Sequence, residues 1–321
     1  MQQRILITGG AGFIGSHLAD ILVAEGHHVS VIDNLSTGNI KNIEHLFANT
    51  NFKFIRDTIS NEIVLDRVAS ECDIIVHLAA AVGVKLVVER PVHTLETNVT
   101  GTEQVLKVAL RYRCKVLIAS TSEVYGKGHK IPFTEDDDVL LGSTSISRWG
   151  YAVSKMLDES LAFAYWTEYG LPIVLFRLFN TVGPRQTGHY GMVIPTFMQQ
   201  AINGEPITVF GDGNQQRCFC DVSDVVRAIA GLMYNQAAIG QLFNIGGNQE
   251  VSMLELAERV IKIAQSKSEI KLVTYSEAFG SGFEDMQRRV PNTKKIFNLL
   301  NWKPLLNLDQ ILVNVRNSLL N

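Results

Sequence analysis

Hydrophobic positions in the first 180 residues fall into short β-branched runs, and most of the gaps between them carry helix-length amphipathic stretches. The runs at Arg4 to Thr8, Val29 to Asp33, Phe52 to Asp57, Asp73 to Leu78, Lys115 to Ser120 and Ile173 to Phe179 predict strands. Continuous apolar segments such as Ile74-Ile75-Val76 and Val116-Leu117-Ile118-Ala119 fit strands covered on both faces. The expected fold class is therefore α/β, a doubly wound parallel sheet with helices on each side. Beyond Phe179 the alternation falters. Turn-rich segments, Gly183-Pro184 and Gly204-Glu205-Pro206, alternate with helices expected near Met192 to Asn203, Ser223 to Asn235, Ser252 to Gln265 and Leu308 to Leu319. This pattern predicts a main domain over residues 1–180 and a smaller α/β lobe over 181–321, with chain exchange between them allowed.

Composition narrows the function classes. The 321 residues are 46% hydrophobic and 19% charged, enough to bury a large core. A net charge of -3 gives no basic footprint for nucleic acid or a membrane surface. A strand begins at Arg4, leaving no room for a signal peptide, and no apolar run reaches membrane-spanning length, so a cytoplasmic protein is expected. Cys72, Cys114, Cys218 and Cys220 lack zinc-site spacing and are expected as free thiols; no metal is predicted.

Two motifs carry chemistry. Gly9, Gly12 and Gly15 lie between the first predicted strand and a helix from about Phe13 to Glu25. The first glycine permits a sharp turn, the second lets a pyrophosphate approach the backbone, and the third allows close helix packing. Asp33 ends the next strand, where a carboxylate accepts hydrogen bonds from a ribose diol and repels a 2′-phosphate, so NAD is expected rather than NADP. Asp57 either lies near the adenine or is an ordinary surface cap. The second motif is Tyr151 with Lys155, one helical turn apart. A phenol is a poor base near neutral pH unless a cation stabilises its anion, and a lysine at i+4 can supply that charge. Together the motifs suggest hydride transfer beside a tyrosine acid/base.

The chain resembles the extended short-chain dehydrogenases/reductases of the nucleotide-sugar epimerase, dehydratase and decarboxylase group. The matching marks are Gly9 to Gly15, His77-Leu78-Ala79-Ala80, Asn98, Ser120 to Gly126, Tyr151 with Lys155, Arg177 to Asn180, and Gly183-Pro184-Arg185. The resemblance implies a Rossmann domain that holds NAD through Gly9, Gly12, Phe13, Ile14, Gly15, Asp33, Asn34, Asp57, Leu78, Ala79, Ala80, Asn98, Tyr151 and Lys155. It implies that Tyr151 takes the proton of a sugar hydroxyl, that Lys155 holds the nicotinamide ribose and lowers the phenol pKa, and that Thr121 hydrogen-bonds the reacting oxygen. Ser122, Glu123, Arg148, Asn180, Arg185, Val209, Arg217 and Arg289 are the implied contacts to a UDP-sugar, and Glu123 joins Thr121, Tyr151 and Lys155 as an implied catalytic residue. Relatives pair through two helices per subunit, so helices around Pro91 to Arg113 and Tyr151 to Tyr169 predict a homodimer.

The reaction itself divides the motifs. Sugar dehydratases resemble TDEVYG, whereas this chain carries Ser122 before Glu123, so the acid that would protonate a departing hydroxyl is missing. UDP-glucuronate decarboxylases resemble the Ser122-Glu123, Arg148-Trp149-Gly150-Tyr151 and Gly280 to Pro291 segments. The stretch Ala79 to Lys85 looks more like epimerases, and epimerisation needs nothing beyond the oxidation machinery. The leading expectation is a UDP-hexose or UDP-hexuronate 4-epimerase working through a 4-keto intermediate, with the decarboxylase second. A dinucleotide-binding protein without turnover is a third, distant option.

Overall fold

The computed structural model describes residues 2–188, 192–279 and 284–320. Its strands are β1 (Arg4–Thr8), β2 (His28–Ile32), β3 (Phe52–Ile55), β4 (Ile74–His77), β5 (Lys115–Thr121), β6 (Ile173–Leu178), β7 (Thr181–Val182), β8 (Ile207–Phe210), β9 (Gln216–Cys218), β10 (Cys220–Asp221), β11 (Gln241–Ile245), β12 (Glu250–Ser252), β13 (Ile270–Val273) and β14 (Arg288–Arg289). Its helices are α1 (Phe13–Ala24), α2 (Glu62–Ala69), α3 (Val84–Glu89), α4 (Pro91–Tyr112), α5 (Gly150–Tyr169), α6 (Val193–Asn203), α7 (Val222–Tyr234), α8 (Met253–Ala264), α9 (Tyr275–Phe279), α10 (Lys294–Leu300) and α11 (Leu308–Leu320).

Seven strands form one parallel sheet in the order β11-β6-β5-β4-β1-β2-β3. The β-branched runs explain it: Ile74 to His77 is buried at every position, as a strand with helices above and below requires. On one face α1 and α7 close the core through Leu18, Leu22, Val225 and Ile229. On the other, Leu65 of α2, Leu106 of α4 and Ala162 of α5 pack against Ile75, Ile118 and Leu175. The chain order reverses between β1 and β4, so their carboxyl ends open a crevice at the topological switch point.

Local chemistry fixes the helix ends. Asp221 caps α7, accepting from Ser223 N at 2.8 Å, and Ser252 caps α8, accepting from Glu255 N at 3.1 Å. At the far end of α7 the buried Lys115 ammonium donates to Met233 O at 2.8 Å, occupying a carbonyl that the helix leaves free.

The C-terminal half builds the rest. The parallel pair β8/β13, the small sheet β12-β9-β14 and helices α6, α8 and α11 enclose Ile194, Phe197, Ile207, Val209, Leu256 and Leu312. A further cluster of Val124, Tyr125, Phe133, Trp149, Phe179 and Met286 lies beneath the crevice and joins this half to the main sheet. Strand β11 also comes from this half and completes the sheet beside β6. Among the described residues no helix is long and apolar enough to cross a membrane.

Candidate active site

The carboxyl ends of the sheet open into a cavity of about 1990 Å³, lined from both halves of the chain. At one end is the glycine turn. Gly9 has φ +70°, and a Cβ there would stand 2.8 Å from the Ala79 backbone, so this glycine lets the β1 and β4 turns touch. A Cβ on Gly15 would meet Gly9 O at 2.5 Å, so α1 can begin hard against the turn only without a side chain. Gly12 precedes α1 without a side-chain cap, and no acidic residue stands in the first turn, leaving backbone N–H groups and a positive dipole end for an anion. Asp33 accepts from Ala11 N at 3.0 Å and Leu35 N at 2.8 Å, which fixes its carboxylate at the cavity wall. These features fit a dinucleotide: a backbone cradle for pyrophosphate, with a carboxylate one strand away for a ribose.

Phe13, Ile14, Asn34, Asp57, Leu78, Ala79 and Ala80 line the same cavity. Asp57 also accepts from Asn61 Nδ2 at 3.1 Å, and Asn61 caps α2. Asn98 departs from its expected role. Its amide exchanges hydrogen bonds with Ala81 N and O, at 2.7 and 3.3 Å, and donates to Ser154 Oγ at 3.1 Å. At 1% exposure it is a brace between α4, the turn after β4 and α5 rather than a wall of the cavity.

At the centre, β5 delivers Thr121 and the turn Ser122 to Tyr125. Thr121 Oγ1 accepts from Glu123 N at 3.2 Å, while Val124 and Tyr125 are buried in the cluster below. Tyr151 lies in the first turn of α5 and hydrogen-bonds the Thr121 hydroxyl, so the proposed acid/base and its partner meet. The electrostatics differ from expectation. Burial, then the Glu123 carboxylate, pushes the Tyr151 phenol above its ordinary value, and the Thr121 hydrogen bond only partly opposes this. Lys155 is not among the groups that shift the phenol in this arrangement, and its ammonium is engaged by Asp158 Oδ2 at 2.7 Å.

A ring of charge closes the other end. Glu123 pairs with Arg148 and, at 3.1 Å, with Arg289. Burial alone would raise this carboxyl, but the two guanidiniums outweigh it and hold Glu123 at about 2. Asp285 pairs with Arg217 at 3.0 Å and lies 3.7 Å from Arg148. Burial, followed by Arg289, pulls Arg217 down to about 10. Asn180 accepts from Arg289 and donates to Cys218 O at 2.9 Å. Ser122 also lines the cavity.

Two expected sugar-nucleotide contacts are placed differently. Val209 is fully buried in the core of the C-terminal half, and its neighbours Thr208 and Phe210 face the cavity instead. The alternation of a strand explains the exchange. Arg185 lines the cavity but turns to α1, where it pairs with Asp20 at 2.8 Å. Residues 280–283 of the glycine-rich segment before Glu284 lie outside the described residues.

Sequence reading missed Asp158 and Glu159. Both follow Lys155 on α5 by about one turn, and that spacing of acids behind a lysine was the available signal. Glu159 is bound by Arg177 at 2.7 and 2.9 Å and by the Ser120 hydroxyl, which ties α5 to β5 and β6 directly behind Thr121. The four cysteines are buried as free thiols, and among the described residues no cluster of metal-ligating side chains occurs.

A family model described as GDP-mannose 4,6 dehydratase matches residues 6–315. The chain belongs to that family of NAD-dependent extended short-chain dehydrogenases/reductases acting on nucleotide sugars. Among family members, a UDP-N-acetyl-alpha-D-glucosaminuronate decarboxylase of Bacillus cytotoxicus is 42% identical over 97% of this chain and 95% of its own. UDP-glucuronic acid decarboxylase 1 of Danio rerio is 37% identical over 96% of this chain and 71% of its own. UDP-glucuronic acid 4-epimerase from Bacillus cereus, solved with UDP-glucuronic acid and NAD, superposes with a TM-score of 0.89 at 29% identity and 98% coverage of both chains. The cofactor of this family member is NAD, in agreement with the glycine turn and Asp33.

Proposed function

We propose that the protein is a UDP-hexuronate decarboxylase that oxidises C4, releases C6 as carbon dioxide and returns a UDP-pentose. This reverses the order of the two reactions expected from sequence. The observation that carries the reading is the charge ring beside Tyr151: Arg148, Arg217 and Arg289 face Glu123 and Asp285, three cations against two anions. The excess positive charge suits a sugar that brings a carboxylate as well as a diphosphate. The decarboxylase relatives over nearly the whole chain support it independently.

The site residues divide the work. Tyr151 takes the C4 hydroxyl proton, and Thr121, bonded to the same phenol, holds the reacting oxygen in line. The turn Gly9 to Gly15 and Asp33 would hold NAD+, which would supply a reversible acceptor for the C4 hydride. With C4 a ketone, the C6 carboxylate is β to a carbonyl. The C5–C6 bond breaks, carbon dioxide leaves, and the electron pair moves onto the C4 oxygen, where the Tyr151 and Thr121 hydroxyls stabilise it. A proton from solvent then completes C5. Because Glu123 is held ionised at about 2, it is no donor for a leaving hydroxyl, which weighs against dehydration.

The C4-epimerase reading keeps support from the epimerase-like stretch Ala79 to Lys85 and from fold matches to 4-epimerases such as that of Bacillus cereus, at a TM-score of 0.89. Incubating the enzyme and NAD+ with UDP-glucuronate and with UDP-N-acetylglucosaminuronate separates the two. A UDP-pentose with one equivalent of carbon dioxide is expected from at least one of them; a C4-inverted hexuronate with its carboxylate intact would favour epimerisation instead.

A further inference from the structure

Asp158 has no part in the chemistry described so far, yet it makes the closest contact to Lys155. Their side chains are 1% and 3% exposed, and the 2.7 Å ion pair spans one turn of α5. Behind it runs a buried array. Thr102 lies beside Asp158, with its hydroxyl 3.1 Å from His77 Nε2, and His77 Nδ1 lies 2.7 Å from Thr8 Oγ1. Thr8 Oγ1 in turn accepts from Ala79 N at 3.2 Å in the turn that abuts Gly9. Burial and then Lys155 hold the His77 imidazole down at about 3, so this array carries no second positive charge. The carboxylate of Asp158 is therefore the counter-charge built in behind the ammonium.

We propose that Asp158 is a positioning residue that neutralises Lys155 and so keeps Tyr151 protonated until the positive ring of the oxidised cofactor lies beside it. The proposal rests on Tyr151 and Lys155 being the acid/base pair. A buried lysine with no counter-ion would stabilise the phenolate at all times. A lysine paired at 2.7 Å contributes little net field at the phenol, so the remaining favourable charge must arrive with the cofactor. The charged groups acting on Tyr151 are Glu123 from the turn after β5, Asp158 from α5 and Arg289 from β14, with Lys155 one helical turn along α5 and paired to Asp158, Arg148 behind Glu123 and His77 of β4 behind Lys155. Of these, Glu123 and Asp158 both oppose ionisation. The consequence is a base that forms when NAD+ is bound and regains its proton when the ring is reduced.

The test uses the full-length, NAD+-loaded enzyme. Phenolate formation is followed by ultraviolet absorbance against pH in wild type, Asp158→Asn, Asp158→Ser and Asp158→Glu, each corrected by the same protein carrying Tyr151→Phe. The Tyr151 midpoint should fall by about one pH unit or more in the two neutral variants, a tenfold change in phenolate fraction at fixed pH, and stay near wild type in Asp158→Glu. The acidic limb of turnover should move in the same direction. A wild-type midpoint in both neutral variants overturns the proposal, and the serine variant provides the reading if the asparagine variant fails to fold. If Tyr151→Phe removes no titrating signal and keeps full turnover, the underlying catalytic assignment falls instead.

Discussion

The clamp of Glu159, Arg177 and Ser120 allows a direct energetic test of how the site is held. Glu159 and Arg177 side chains are 6% and 5% exposed and share two hydrogen bonds at 2.7 and 2.9 Å. The Arg177 guanidinium also lies 4.5 Å from the Tyr125 ring centroid. Replacing Glu159 with leucine removes the carboxylate but leaves a buried guanidinium with no anionic partner. Stranding one member of a buried pair costs about 3–5 kcal/mol, so the unfolding equilibrium should shift by roughly two to four orders of magnitude. Arg177→Met should cost a similar amount for the mirror reason. The double variant removes both charges and should recover to within about 2 kcal/mol of wild type, because well-packed apolar replacements of such pairs are often neutral. Urea unfolding followed by circular dichroism gives the three free energies, and the double-mutant cycle gives the coupling. A loss under about 1 kcal/mol in both single variants, or a double variant as unstable as their sum, would refute the clamp. Since Ser120 precedes Thr121 and Glu159 lies one turn beyond Lys155, the recovered double variant should still turn over more slowly than wild type.

Two other outcomes follow from the geometry. Gly15→Ala puts a methyl 2.5 Å from Gly9 O and should abolish measurable NAD binding by calorimetry; wild-type affinity would contradict the cradle. Glu123, ordinarily near 4.5 and held at about 2 in the folded chain, adds stability that is complete above its unfolded value and is lost as pH falls from about 4.5 toward 2. The contribution at neutral pH is about 3 kcal/mol, so Glu123→Gln should flatten the acid side of the stability profile, and an unchanged profile would count against the ion pairs.

The α/β pattern was legible because helices cover both faces of the sheet and leave its strands as unbroken apolar runs. All six strands predicted in the first 180 residues appear, with ends shifted by one or two positions. The seventh, Gln241–Ile245, has no neighbour in sequence to announce its pairing with β6. Helices of the second half were also legible; the expected Met192 to Asn203 and Leu308 to Leu319 are found as Val193–Asn203 and Leu308–Leu320. The contacts among site residues were not. Which partner a lysine or arginine chooses depends on elements far apart in the chain: Arg185 finds Asp20 on α1, and Asn98 finds Ala81. Val209 was named by sequence position, but the face that a strand residue presents is set by register, and register placed its neighbours at the cavity.

Oxidation at C4 followed by loss of C6 is tested most directly by the fate of one hydrogen and one carbon. UDP-hexuronate carrying deuterium at C4 should give a UDP-pentose that keeps deuterium at C4, with one carbon dioxide per sugar and no accumulation of NADH. Carbon dioxide release with loss of that deuterium would contradict the return of the same hydride to C4, and retention in a sugar that still holds its carboxylate would contradict decarboxylation.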